Sequence, residues 1–387
     1  MSNDRFFHSP HIANMIANSL LKSTVKSSVR IQLLNAKPSV LGTSIFQRLA
    51  STSSSSSSTS SAPSSSPSSS PSPSLYPPSG QHKSPFDIST KLICHPTPTD
   101  TEFVTHAMFP HPPMETSDCE KVHFEHRDPV TFGDKVADRG TKFCRACFDF
   151  VTGYKKPTDV NGELQTWKGT RYEMTEEKWL TRCIFLESIA GVPGMVAAFL
   201  RHLKSLRLLK RDKAWIETLL DEAYNERMHL LTFMKLGNPS WFTRFIIYVG
   251  QGVFCNLFFL VYLMRPKYCH RFVGYLEEEA VSTYTHLLKD IDAHRLPRFD
   301  KVEIPEIAWQ YWGDLNEKSS FRDLILRIRA DESKHREVNH TLANLNFKED
   351  RNPFAFKQEG LPEDKQPDAH ELKNAKGTGW ERTELNL

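Results

Sequence analysis

Beyond about residue 127 the chain reads as helix. Apolar residues recur there with a period near 3.6, and the alternating Val, Thr and Tyr runs that mark strands are almost absent. Six long segments carry this period: roughly 131–153, 175–206, 212–236, 241–264, 267–293 and 318–345. A short helical piece near 305–312 precedes the last of them. The interruptions fall at Lys155-Lys156-Pro157, Gly237-Asn238-Pro239, Pro266 and Pro297, where prolines and glycine break a helix. The pattern predicts an all-α fold with no solenoid repeat.

Two of the segments differ from the rest. In 131–153, Val136, Gly140, Phe143, Cys147 and Phe150 form one apolar stripe, flanked by Lys135, Arg139, Lys142 and Arg145. That arrangement suits a helix lying in a membrane interface. The run from Phe245 to Met264, FIIYVGQGVFCNLFFLVYLM, is long enough to cross a bilayer, although Gln251 and Asn256 interrupt it. Burial against the rest of the protein is the alternative for both segments. Cys144-x-x-Cys147 has the spacing of half a zinc or redox site, but a lone pair on a helix reads first as packing.

The N-terminal third is a different kind of chain. Between Asp4 and Asp87 there is no acidic residue, while Arg5, Lys22, Lys26, Arg30, Lys37, Arg48 and Lys83 are basic. A basic, Ser-rich, acid-poor start has the profile of a mitochondrial presequence, assigned to residues 1–50. Of the 24 residues in 51–74, 17 are Ser, too little apolar surface to offset chain entropy. Residues 51–126 are therefore expected to be disordered or extended, 127–346 to form the folded domain, and 347–387 to be a polar tail. Net charge is 49 − 46 = +3, which argues against a nucleic-acid binder. A mean hydropathy of −0.46 excludes a polytopic membrane protein. Seven cysteines in a chain of 387 residues exclude a small disulfide-stapled scaffold.

The chemistry lies in four of the helices. Glu226-Arg227-Met228-His229 and Glu332-Ser333-Lys334-His335 each place a carboxylate and an imidazole one turn apart on one face. Two further helices carry a Glu among apolar or small residues: Glu187 in FLESIAGVPGMV and Glu277 in VGYLEEEAV. An unpaired charge at Glu187 would be costly to bury. Glu, Glu-x-x-His, Glu, Glu-x-x-His is the ligand order of ferritin-like four-helix di-iron bundles. Four carboxylates balance two divalent charges, and oxygen donors with nitrogen suit iron or manganese better than copper. Periodicity alone leaves Glu277 and Glu279 competing for the fourth carboxylate position, since neighbours on a helix point about 100° apart.

The runs LESIAGVPGMV, NERMHLLTF, HRFVGYLEEEAVSTYT and RADESKHREVNHT resemble the mitochondrial alternative oxidases, over about residues 127–346. The chain departs from the family's usual pattern at Ser333 and Lys334, with both ligand positions intact. The resemblance implies a cyanide-insensitive oxidase that takes electrons from ubiquinol and reduces O2 to water without pumping protons. It implies two iron ions held by Glu187, Glu226, His229, Glu277, Glu332 and His335, and it selects Glu277 from the glutamate triple. It further implies a redox role for Tyr284 beside the iron, and a quinol pocket of Arg182, Cys183, Leu186, Glu279, Ala280 and Thr283. Asn225, Asp331, Tyr311 and Trp312 resemble the residues that orient the ligands through hydrogen bonds.

Topology follows from the ligand set. If 245–264 alone crossed a bilayer, the Glu226 and Glu277 helices would end on opposite sides and could not share a metal pair. The expectation is a monotopic protein: 131–153 and 241–264 lie in one leaflet on the matrix face of the mitochondrial inner membrane, and the bundle stands above them. The same two segments are compatible with a homodimer. Competing readings are a di-iron hydroxylase of the quinone ring, a plastid terminal oxidase and a ferritin-like iron store. The LEEEAVSTYT run counts against the first, the basic and Ser-rich head against the second, and the greasy 241–264 segment against the last.

Overall fold

A computed structural model describes residues 87–96, 107–109, 111–160, 163–165, 167–355, 357, 359–367 and 371–387. The expected presequence and the Ser-rich stretch lie outside the described residues. In chain order the elements are β1 (Thr90–Leu92), α1 (Thr116–Lys121), α2 (Phe132–Thr152), β2 (Thr158–Val160), β3 (Glu163–Gln165), α3 (Glu176–Leu208) and α4 (Trp215–Leu236). There follow β4 (Gly237–Pro239), α5 (Trp241–Met264), α6 (Pro266–Asp292), α7 (Glu306–Tyr311) and α8 (Phe321–Asn344).

The helix starts are written in the sequence. Thr131 caps α2 and Ser320 caps α8, each in a reciprocal capping box with an aspartate three residues on. Thr175 and Ser240 cap α3 and α5 through the same kind of bond to a backbone amide. Pro266 opens α6, where its missing amide proton costs nothing.

Four helices make the bundle. α6 packs along α8 and α3 packs along α4, and the two pairs enclose the site. Close approach needs small residues at the crossings. A Cβ on Gly194 of α3 would lie 2.6 Å from the carbonyl of Leu219 in α4. One on Gly274 of α6 would lie 2.5 Å from His340 Nδ1 of α8. α8 is the most enclosed helix, with 21 of its 24 residues buried despite a polar composition.

α2 lies on α6, and α5 lies on α3 and α6. Both turn apolar rows outward: Phe132, Val136, Phe143 and Phe150 on α2, and Phe245, Tyr248, Val253, Leu257 and Leu260 on α5. α3 and α5 are long and apolar enough to cross a membrane, but half of the apolar stretch of α3 is buried inside the protein, against 11% for α5. Met195, Phe199, Leu203 and Leu206 of α3 add a third exposed row.

Strands, almost absent from the sequence pattern, do occur as short pieces. β1 pairs antiparallel with β4 at the Gly237-Asn238-Pro239 break, and β2 pairs with β3 as a hairpin between α2 and α3. Three residues are too few to show a two-residue period. The segment after residue 371 packs on α8, where Trp380 is buried.

Candidate metal centre

The six side chains that the resemblance assigns to a metal pair converge. Glu187, Glu226, His229 and Glu332 form one tetrad, and Glu226, Glu277, Glu332 and His335 form another. Within each, one donor atom per residue lies within 4.8 Å of all the others, and all are buried. The tetrads share Glu226 and Glu332. Two four-donor sites with two carboxylates in common are the arrangement two bridged cations require.

The distances show how the site is knitted. His229 Nδ1 lies 3.3 Å from Glu187, 3.4 Å from Glu332 and 3.6 Å from Glu226. His335 Nδ1 lies 2.7 Å from Glu226 Oε1, yet that pair lacks the directionality of a hydrogen bond. Both oxygens of Glu226, Oε2 of Glu332 and Nδ1 of His335 are buried without a hydrogen-bond partner among the described residues. A buried polar atom left so costs about 1–3 kcal/mol. Donor atoms that face a common point rather than each other fit a metal pair, which would remove that cost.

Electrostatics agree. Burial, then Glu332 and Glu226, holds the Glu187 and Glu277 carboxyls well above the usual carboxylate range. Burial would lower His229 and His335, but the surrounding carboxylates override it and raise both. Glu226 is also desolvated, yet His335 and His229 bring it below its ordinary value. Crowded carboxylates hold their charge together with protons; two divalent cations would do so instead.

Packing resolves the glutamate triple. Glu277 enters the second tetrad. Glu278 turns away to accept from His126, His340 and the Arg127 amide. Glu279 is half-buried and pairs with Arg145 at 2.8 Å. Tyr284 is wholly buried, donates its hydroxyl hydrogen to Glu187 Oε1 and stacks on Phe233.

Asp331 is the hub behind the site. Its Oδ2 accepts from His229 Nε2 at 3.1 Å, Trp312 Nε1 at 3.0 Å and Asn225 Nδ2 at 3.2 Å. Asn225 also donates to the Tyr311 hydroxyl at 2.9 Å. His229 therefore donates from Nε2 to Asp331, which leaves Nδ1, 3.3 Å from Glu187 Oε2, as the nitrogen a metal would take. Trp312 lies parallel to the His229 ring. The sequence reading did not foresee His111. Its Nε2 is 2.8 Å from Asp331 Oδ1, while its Nδ1 is 2.7 Å from the Pro112 carbonyl. A carbonyl and a carboxylate both only accept, so His111 donates from both nitrogens as an imidazolium. Burial opposes that charge, and Asp331 restores it, raising His111 above its ordinary value.

On the α2 side a polar chain joins part of the proposed quinol set. Arg145 NH1 donates to Glu279 and to Thr283 Oγ1, and its Nε donates to Asp149. Asp149 in turn accepts from Arg182 NH2 at 2.8 Å. Arg182 is fully buried and packs its guanidinium on Phe148 and Tyr154, and its Nε has no hydrogen-bond partner among the described residues. Burial and Arg145 pull Arg182 down to about 10 against the opposing pull of Asp149. Cys183 is buried beside Tyr284, while Leu186 and Ala280 are half-buried on the flanking turns. Arg145 and Asp149 link this set, and the sequence marked Arg145 only as a cation beside an apolar stripe. Cys144 and Cys147 are exposed on α2.

Helices, ligand order and shared carboxylates define a helical bundle built around a buried carboxylate–histidine metal site. The sequence profile of the alternative oxidase family matches residues 114–344. The chain is 75% identical over 307 residues to the mitochondrial alternative oxidase of Wickerhamomyces anomalus, covering 79% of this chain and 90% of that protein. Identity is 65% over 306 residues to that of Scheffersomyces stipitis, covering 78% and 85%. It is 54% over 275 residues to that of Aspergillus niger, covering 71% and 76%. The chain belongs to the alternative oxidase family and is an oxidoreductase.

Proposed function

We propose that the protein is a ubiquinol oxidase of the mitochondrial respiratory chain, reducing O2 to water at a di-iron centre, insensitive to cyanide and without proton pumping. The observation that carries this reading is the pair of buried tetrads sharing Glu226 and Glu332. Glu187, Glu226, His229, Glu277, Glu332 and His335 would hold the two irons. Iron bound there would supply ferrous–ferric electron transfer from the quinol to O2. The balance is two quinols and one O2 giving two quinones and two waters. The four protons the quinols release are the four that O2 takes up, so no proton need cross the membrane.

The chain's own groups divide the remaining work. Arg182, Glu279 and Thr283, linked through Arg145 and Asp149, offer donors and acceptors to the quinol oxygens. Cys183, Leu186 and Ala280 would flank the ring. Tyr284 holds a proton toward Glu187 Oε1 between that region and the tetrads. Asp331, with Asn225, Tyr311 and Trp312, fixes the His229 ring and its tautomer. The nearly full burial of α8 surrounds Glu332 and His335 with protein.

The exposed apolar rows of α2 and α5 support monotopic attachment to the matrix face of the inner membrane. α5 joins α4 to α6, whose carboxylates meet in one site, so a lone crossing by α5 would pull them apart. A reductant dissolved in lipid would reach Arg145 and Glu279 sideways from α2. The outward row on α3 is compatible with a homodimer. The test is oxygen uptake by the purified protein with ubiquinol as the only reductant and cyanide present. Uptake is expected to persist; its absence with iron bound would overturn the reading.

A further inference from the structure

We propose that residues 371–385 form a strap that positions α8, and through it Asp331, Glu332 and His335, for metal retention. This rests on the metal centre proposed above. The strap lies beyond residue 344, where the family match ends.

The contacts follow one stripe of α8. Lys334 Nζ donates to the Glu371 carbonyl at 3.3 Å. Glu337 Oε1 accepts from the Lys376 amide at 2.7 Å and from Trp380 Nε1 at 2.8 Å. Thr341 Oγ1 accepts from the Trp380 amide at 2.9 Å, and Asn344 Nδ2 donates to the Trp380 carbonyl at 2.8 Å. Positions 334, 337, 341 and 344 are spaced three, four and three residues, one face at about 100° per residue. Glu332, His335 and Asn339 fall on the opposite face. The strap therefore grips the back of the helix whose front carries the metal-type residues.

Its fit is close. The Trp380 indole is buried in a cluster with Val338, Leu342, Phe354 and Leu385. Gly379 has φ +74°, and a Cβ there would lie 2.6 Å from His340 Cβ and 2.7 Å from the Thr341 amide nitrogen. Only a glycine lets the backbone rest directly on α8 in that conformation. The strap is also tied to α6. Arg127 donates to the Thr378 carbonyl at 2.6 Å and pairs with Glu381 at 2.5 Å. The Arg127 amide and His340 Nε2 both donate to Glu278 Oε1, at 2.9 Å each. α6 and α8, which carry Glu277, Glu332 and His335, are thus clamped by one segment. Small displacements of ligating groups cost affinity, and removal of outer supports typically costs 10–100-fold.

The test compares full-length Gly379→Ala and Trp380→Leu, and a chain ending at Gln366 with and without a synthetic peptide of residues 367–387. The readout is the rate at which iron leaves the purified protein to a ferrous chelator, beside helix content by circular dichroism. Helix content is expected to stay near the parent's, with release about tenfold faster in each variant. The added peptide is expected to slow release from the shortened chain, which general destabilisation would not explain. Gly379→Ala keeps every strap side chain and decides the matter if the shortened chain fails to fold. Parental release rates in folded variants, or no effect of the peptide on a folded shortened chain, overturn the strap's role. A parent that holds no iron overturns the metal centre itself, and the strap's role with it.

Discussion

Asp331→Asn changes the charge of the hub and leaves its shape. The aspartate accepts four hydrogen bonds: three at Oδ2, from His229, Trp312 and Asn225, and one at Oδ1, from His111. With its oxygen at the Oδ2 position, an asparagine keeps the first three. Its amide hydrogens then face His111 Nε2. His111 Nδ1 already donates to Pro112, so the ring need only lose its second proton to accept at Nε2. Every bond is preserved, and folding stability should change by no more than about 1 kcal/mol. What is lost is the negative charge behind His229. That charge makes Nδ1 a stronger donor to a metal, and its removal should weaken iron binding about 10–100-fold, or about 1.4–2.8 kcal/mol. The assay is iron competition with a chelator of known affinity, beside thermal melting of the same samples. Parental iron affinity in a folded variant would refute the role assigned to Asp331.

Tyr284→Phe removes the hydroxyl that meets Glu187 and should keep iron while turnover falls about a hundredfold or more; parental turnover would count against a redox or proton role. Arg145→Gln breaks the link among Asp149, Glu279 and Thr283 and should raise the KM for ubiquinol with iron content unchanged; an unchanged KM would place quinol elsewhere. Metal removal should lower the melting temperature more at about pH 9 than at about pH 6. Glu187 and Glu277 are raised, so the metal-free fold favours their protonated forms and suffers as pH climbs. His229 and His335 are also raised, and the stability they supply is full below about 6.5 and lost as pH rises through their folded values. Glu226 and Asp331 are lowered and stay ionised across this window. A difference in melting temperature that does not grow with pH would contradict the sign.

The helices were legible because their period is local and their ends carry caps. All six long segments run within three residues of the periodic pattern, from Thr131 capping α2 to Ser320 capping α8. The two Glu-x-x-His pairs were legible for the same reason, since that spacing fixes a face within one turn, while the full set of six came from the resemblance. Periodicity could not choose between Glu277 and Glu279; packing does, by turning Glu279 to Arg145. The groups that were missed act across long separations. His111 reaches Asp331 from 220 residues away, out of a Pro- and His-rich stretch with no period. Trp380 reaches Glu337 from a tail that reads as merely polar. Asp149 joins two arginines on different helices, a pairing without local signature.

Iron analysis of the purified chain, parent beside Glu332→Ala, tests the central claim most directly, because Glu332 belongs to both tetrads. Two irons per chain are expected in the parent, with both lost in the variant while the helices remain. A parent without iron, or a folded Glu332→Ala that still holds two, would contradict a metal pair clasped between α3, α4, α6 and α8.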